Sequence, residues 1–192
     1  SIEANEKDNF DNYLKTIIKQ IKQIENLVNE FSDFARMPKP IFKKKKIINL
    51  INHNLSLLKE IDKSISIKIK YDKEDLIVKC DGEQISRVFF NLVKNSIESI
   101  QEKFNKNGGF SKIIDIEILD KNDYIGLNIT DNGTGFSKDI IKNITKPYFT
   151  TKPKGSGLGL SIVNKIINDH NGTIKFNTNK NGAKVEILLP KN

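Results

Sequence analysis

"DGEQISRVFFNLVKNSIESIQEKF", residues 81–104, carries two messages on one helical repeat. Ile85, Val88, Phe89, Leu92, Val93, Ile97 and Ile100 recur at helical spacing, which predicts a long amphipathic helix with one buried face. Arg87, Asn91, Lys94, Asn95 and Glu98 fall at i, i+4, i+7, i+8 and i+11, so they form one polar stripe on another face. Asparagine is a mediocre helix former that favours caps and turns. Two amides one turn apart either face solvent or face something polar that the helix holds. The helix alone leaves both readings open.

Downstream, "KIIDIEIL" (112–119) and "YIGLNIT" (124–130) read as strands and lead into "DNGTGF" at 131–136. A carboxylate ending a strand, followed by Gly133 and Gly135, fixes an acceptor in place and bares the backbone beside it. The same residues are ordinary hairpin chemistry. A polar helix and a lidlike stretch, "KPYFTTKPK" (146–154), come next, then "GSGLGLSIVNKI" (155–166). Glycine at every second position leaves backbone N–H groups uncovered at the start of a helix, as a phosphate-binding loop requires. The spacing is neither that of a dinucleotide fingerprint nor that of a P-loop, so a flexible turn is the competing reading. "GTIKFNT" (172–178) and "AKVEILLP" (183–190) close the chain as strands. Upstream, "IINLINHNLSLLKEI" (47–61) reads as a helix, and "SISIKIKY" (64–71) and "LIVKC" (76–80) read as strands. The order predicts an α+β fold, a two-layer α/β sandwich in which helices cover one face of a mixed sheet.

The N-terminal segment is different in kind. Leu14, Ile17, Ile21, Ile24, Val28, Phe31 and Ala35 step alternately by three and four, and Ile18, Leu27 and Phe34 widen the seam into a bundle-forming stripe. Pro38 and Pro40 stop this helix, because proline has no N–H and clashes with the preceding turn. A lone helix cannot bury such a stripe, so we expect a second helix or a second copy of the chain, that is, a homodimer through this segment. Packing back onto the following domain is the alternative. The expected organisation is residues 1–40 as the bundle helix, 41–46 as a basic linker and 47–192 as the main domain.

With 192 residues, 37% hydrophobic and 29% charged, the chain has the composition of a globular protein. No apolar run approaches a membrane span and no signal-peptide pattern opens the chain. It starts at Ser1 in a polar helical pattern, which reads as a piece of a longer protein. The net charge of +8 and "KKKK" at 43–46 invite a nucleic-acid reading. Lysines are spread along the whole chain and no aromatic residues interleave with the run, so we expect no nucleic acid and a solvated linker instead. The single Cys80 excludes an internal disulfide and every multi-cysteine metal site, and reads as a buried thiol.

Taken in order, "NLVKN" (91–95), "DNGTG" (131–135), "PYFTTK" (147–152) and "GSGLGL" (155–160) resemble the N, G1, F and G2 boxes of the ATP-binding domain shared by sensor histidine kinases, gyrase, Hsp90 and MutL. This is the Bergerat, or GHKL, fold. Gly182 in "NGAKVEILLP" resembles the family's last glycine box, and "DHNGTI" the segment before it. The likeness spans roughly residues 47–192. "IENLVNEFSDFARMPKP" (24–40) resembles the second dimerisation helix of nitrogen-regulation sensor kinases of the NtrY type, which favours the kinase branch.

The resemblance implies a set of roles. Asn95 would place its amide oxygen on Mg²⁺, which takes few protein ligands and completes its octahedron with phosphate and water. Lys94 would meet phosphate charge, and Lys152 the terminal phosphate. Asp131 would accept from the adenine amine while Gly133 and Gly135 let the base approach. Gly155, Ser156, Gly157, Leu158, Gly159 and Leu160 would cradle the phosphates of ATP. Asn91 would lie beside the nucleotide where the gyrase and Hsp90 branches carry a glutamate that activates water. An amide cannot be a general base. Asn91, Lys94 and Lys152 are therefore the candidate catalytic residues of phosphoryl transfer to histidine rather than of hydrolysis. The implied partner is a response regulator receiver domain, and the implied setting is the cytoplasmic portion of an inner-membrane sensor. A non-kinase clamp ATPase of the same superfamily is the alternative, and an interaction module that binds no nucleotide is a third.

One departure stands out. In such kinases the phosphoacceptor histidine lies on the first dimerisation helix, in a motif resembling His-Glu-x-x-Asn-Pro, which is not present here. The only histidines are His53 and His170, neither followed by such residues, so the chain is expected to lack its own acceptor.

Overall fold

The computed structural model describes residues 2–152, 155–179 and 181–192, with side chains from Phe10 onward except at Asp11, Asn26 and Asp33. Helix α1, Ile2–Ala35, runs the full length of the heptad pattern. Its seam is bare: Leu14, Ile17, Ile21, Ile24, Val28 and Phe31 are each 42–60% exposed. Toward its C-terminal end the helix turns inward: Glu30 is half-buried, and Phe34, together with Met37 just beyond the helix, packs against the core. Among the described side chains, packing back onto the main domain is thus confined to the last two turns and the residues after them.

After the two prolines the expected linker is not unpaired chain. Lys43–Lys46 forms strand β1, antiparallel to β3, Ile77–Cys80, with Lys43 opposite Cys80 and Lys46 opposite Ile77. Strand β3 alternates exposed and buried residues, with Val78 and Cys80 inside, and offers a free ladder that any extended neighbour can join. All four lysine side chains stay exposed, which keeps this short ribbon solvated. Cys80 is fully buried, and burial pushes its thiol up to about 11.

The main sheet has the order β2–β4–β5–β7–β6, comprising Ser66–Tyr71, Ile113–Lys121, Tyr124–Asp131, Ala183–Pro190 and Thr173–Thr178. Strands β2 and β4 are parallel and every other pair is antiparallel, so the sheet is mixed. The parallel pair is joined through β3 and helix α3, Gly82–Asn107, a crossover long enough to return the chain in the same direction. Register separates the faces. Ile69, Ile116, Ile129, Val185 and Phe176 form one row of the inner face. Lys70, Glu117, Asn128, Glu186 and Lys175 form a row of the opposite face. Helices α2 (Ile47–Lys59), α3 and α5 (Gly159–Asp169) pack as one layer, α3 between the other two and against β4 and β5. Phe89, Ile97 and Ile100 of α3 are buried between these layers, each contributing about 1.5–3 kcal/mol by leaving water. The polar helix expected after Phe136 shortens to one turn, α4, Lys138–Ile141. The sandwich is the architecture expected from the strand and helix pattern.

Candidate nucleotide site

The start of helix α3 is set by its own cap, by the chain before β1 and by the end of α5. Its N-cap is Asp81, whose Oδ1 accepts from the N–H groups of Glu83 and Gln84 at 3.1 Å each, while Oδ2 accepts from Ile41 N–H at 2.9 Å. The backbone N–H of Asp81 donates to Nε2 of His170, at the end of α5, over 3.0 Å. His170 Nδ1 lies 2.8 Å from Ile166 O, so that nitrogen carries the proton and donates, leaving the Nε2 lone pair for Asp81. A buried histidine thus ties the start of α3 to the end of α5. This fixes the angle at which the amide stripe meets the rest of the fold.

Asn91, Lys94, Asn95 and Glu98 of that stripe line one wall of a cavity of about 720 Å³; Arg87 is not among its lining residues. The opposite walls come from Asp131 and Gly135, from the lid residues 149–152, and from Gly155, Ser156, Gly157, Gly159 and Leu160. Ile140, Ile144, Phe176 and Val185 make one end apolar. A flat apolar molecule with a charged tail fits this division. Glu30 of α1 also borders the cavity, its Oε2 buried without a hydrogen-bond partner among the described residues.

Asp131 ends β5 on the inner face of the sheet and is only 6% exposed. Its Oδ1 accepts from Gly133 N–H at 2.9 Å and Ala183 N–H at 3.3 Å; its Oδ2 accepts from Ser96 Oγ at 2.9 Å. Oδ2 therefore keeps acceptor capacity for the cavity. Burial raises the Asp131 carboxyl above its ordinary range, against the opposing pull of those three donors and of the Lys103 ammonium.

Helix α5 has no side-chain N-cap. Its first-turn N–H groups and the positive end of its dipole are turned toward the cavity by Gly159 and Leu160. Two of the residues implied to hold the nucleotide fall outside the lining. Leu158 is buried in the core, and its N–H already donates to Ser156 Oγ at 3.2 Å. Gly133 packs on α3, where a Cβ would meet Ser99 Oγ at 2.3 Å and the backbone at 2.8 Å.

The glycines of the loop divide by role. Gly157 has φ +71°, and a Cβ there would lie 2.5 Å from the Tyr148 carbonyl carbon, so the loop passes directly under the lid. At Gly159 a Cβ would meet nothing nearer than Asn91 Oδ1 at 3.7 Å. Gly157→Ala should therefore cost roughly 1–3 kcal/mol, or about 2–4 °C of melting temperature per kcal/mol, while Gly159→Ala leaves the fold as stable or more so. Thermal unfolding of both variants checks this, and equal losses would contradict the division.

Lys152 is the lid residue that crosses the cavity: its Nζ donates to Asn95 Oδ1 at 3.3 Å and forms an ion pair with Glu98. Pro153 and Lys154, the end of the lidlike stretch, lie outside the described residues. Ser96 was missed by the stripe reading. A signal for it existed, since a hydroxyl on the apolar face of α3 demands a buried partner, and Asp131 is that partner. Ser99 Oγ likewise meets Thr134 N–H and Oγ1 at 3.0 Å each.

Residues 80–192 match the family model described as histidine kinase-, DNA gyrase B-, and HSP90-like ATPase. The chain belongs to that family, and its main domain is the ATP-binding catalytic domain of a sensor histidine kinase. It is 38% identical over 188 residues to a putative NtrY-like sensor histidine kinase of Rickettsia conorii, covering 97% of this chain and 30% of that protein. It is 31% identical over 187 residues to the nitrogen regulation protein NtrY of Azorhizobium caulinodans, covering 96% of this chain and 24% of that protein. The chain therefore spans less than a third of the length of these relatives. Among solved structures, the catalytic domain of histidine kinase ThkA superposes with a TM-score of 0.70 at 30% identity, over 79% of this chain and 96% of that one. ThkA in complex with the response regulator protein TrrA gives a TM-score of 0.77 at 27% identity, over 94% of this chain and 51% of that one.

Proposed function

We propose that the chain binds Mg²⁺-ATP in this cavity and donates the γ-phosphoryl group to a histidine on a dimerisation helix, for relay to an aspartate of a response regulator. The observation that carries the reading is Asp131, a buried carboxylate with two N–H donors on Oδ1 and open acceptor capacity on Oδ2 facing a cavity with an apolar end. An acceptor so placed takes the adenine amine and rejects guanine, whose corresponding position is an acceptor. The uncapped start of α5, beside Lys94 and Lys152, supplies N–H groups and positive charge for the phosphate tail. Asn95 Oδ1 already accepts from one cation, the Lys152 ammonium, and an amide oxygen beside a phosphate tail suits Mg²⁺. Bound there, Mg²⁺ would neutralise charge on the phosphates as the transferred group moves. Asn91 borders the same space without the capacity to deprotonate water, which favours transfer to an imidazole over hydrolysis.

The exposed seam of α1 supports a homodimer through that helix. The ThkA complex with TrrA supports a receiver domain as partner. Among the described residues no helix is long and apolar enough to cross a membrane; the cytoplasmic portion of an inner-membrane sensor is the setting that the resemblance to NtrY-type kinases implies.

Titration calorimetry with and without Mg²⁺ tests the site. Asn95→Ala is expected to remove the metal-dependent part of the ATP affinity and to leave the metal-free part. Unchanged metal dependence in the variant would exclude Asn95 as the ligand.

A further inference from the structure

We propose that Glu98 makes nucleotide binding depend on the metal, by competing with the phosphates for the Lys152 ammonium. The inference rests on the cavity being a Mg²⁺-nucleotide site. Asn95 and Glu98 stand three residues apart on α3, so both side chains reach one point above the helix, and the Lys152 ammonium occupies that point. The two charged side chains are 35% and 37% exposed, open enough to water for the pair to exchange partners. The lid around Lys152 is held independently of this contact. The Tyr148–Phe149 backbone lies against Gly157, and Lys152 N–H donates to Thr150 Oγ1 at 3.1 Å. The lysine side chain is thus the part that can swing while its backbone stays anchored.

The charge around that point sets the consequence. Glu30, Glu98, Glu102 and Asp131 border the cavity with Lys94 and Lys152 as the described cations. A triphosphate entering without metal meets the Glu98 carboxylate, and its nearest cation is already engaged. A divalent ion at Asn95 compensates Glu98 and releases Lys152 to the phosphates. Glu98 is a positioning residue in this scheme, acting through Lys152 and through the field at the metal.

The test measures ATP affinity by calorimetry in Mg²⁺ and in EDTA, for the wild type, Glu98→Gln and Lys152→Met. In Glu98→Gln the metal-free affinity should rise about tenfold and the Mg²⁺-to-EDTA ratio should shrink. In Lys152→Met the affinity in Mg²⁺ should fall, since the metal is what frees that ammonium for the phosphates, and Glu98→Gln added to Lys152→Met should raise the metal-free affinity less than it does alone. Amide exchange over residues 146–152, measured without nucleotide, should stay unchanged in Glu98→Gln because the lid backbone is held elsewhere, while the nitrogen resonance of the Lys152 ammonium should shift. General damage to the fold cannot raise an affinity. An unchanged ratio in Glu98→Gln, or an equal gain in the Lys152→Met background, overturns the proposal. If the wild type binds no adenine nucleotide in either condition, the reading of the cavity falls instead, and the Lys152 resonance alone judges the Lys152–Glu98 contact: an unshifted signal overturns it.

Discussion

Incubated with radiolabelled Mg²⁺-ATP, this chain alone is expected to acquire no acid-labile, base-stable phosphate, and to acquire it once a helix bearing an acceptor histidine completes the bundle. Neither of its two histidines is placed for the role. His170 is 4% exposed with both ring nitrogens committed, Nδ1–H to Ile166 O and Nε2 to Asp81 N–H. An imidazole without a free lone pair at the surface cannot attack a phosphorus. His53 is exposed on α2 and lies outside the cavity lining. On the proposed reading of the cavity, what the reaction still needs is a positioned nucleophile, and positioning is what an intramolecular acceptor supplies. Labelling of the chain alone that His53→Ala abolishes would place the acceptor on α2 and overturn this expectation.

Asp131→Asn should separate stability from binding. In the folded chain an asparagine Oδ1 can accept from Gly133 and Ala183 N–H as the aspartate does, and its Nδ2 can donate to Ser96 Oγ. The remaining Nδ2 hydrogen then points where the adenine amine also brings a hydrogen. Loss of that pairing should weaken ATP binding by roughly 1–3 kcal/mol, about 5- to 150-fold. Stability should move the other way. The folded chain holds the Asp131 carboxyl above its ordinary value because burial disfavours the ion. A raised carboxyl binds its proton more tightly folded than unfolded, so its contribution to stability falls as pH rises from the ordinary carboxylate range through the folded value. The variant should therefore gain on the wild type at pH 7, and that gain should vanish in acid, where both states of the wild type are protonated. Denaturant titrations at two pH values and an ATP titration at neutral pH decide it. Undiminished ATP affinity in the variant would remove Asp131 from the adenine site.

The alternating strands, the apolar face of α3 and the long N-terminal heptad were legible in the sequence because each is a local period, and burial of a periodic face leaves one solution for the backbone. The order of four short motifs identified the family for a related reason: each pairs a backbone geometry with a polar group that packing alone does not demand. The amide stripe was visible too, yet helix α3 by itself could not distinguish a solvated face from a site.

That distinction belongs to tertiary structure. Nothing local relates residues 91–98 to Asp131 or to Lys152; β-sheet register, the His170–Asp81 tie and the close pass of Gly157 beneath Tyr148 bring them around one cavity. The same holds for "KKKK", whose composition reads as a linker until β3 offers hydrogen-bond partners from more than thirty residues away. Leu158 and Gly133 belong to the motifs by sequence, but close packing turns Leu158 into the core and uses the missing Cβ of Gly133 to seat a turn on α3. The contact between Lys152 and Glu98 is the furthest from sequence: two charges 54 positions apart meet because a lid and a helix share a cavity, and no periodicity encodes that meeting.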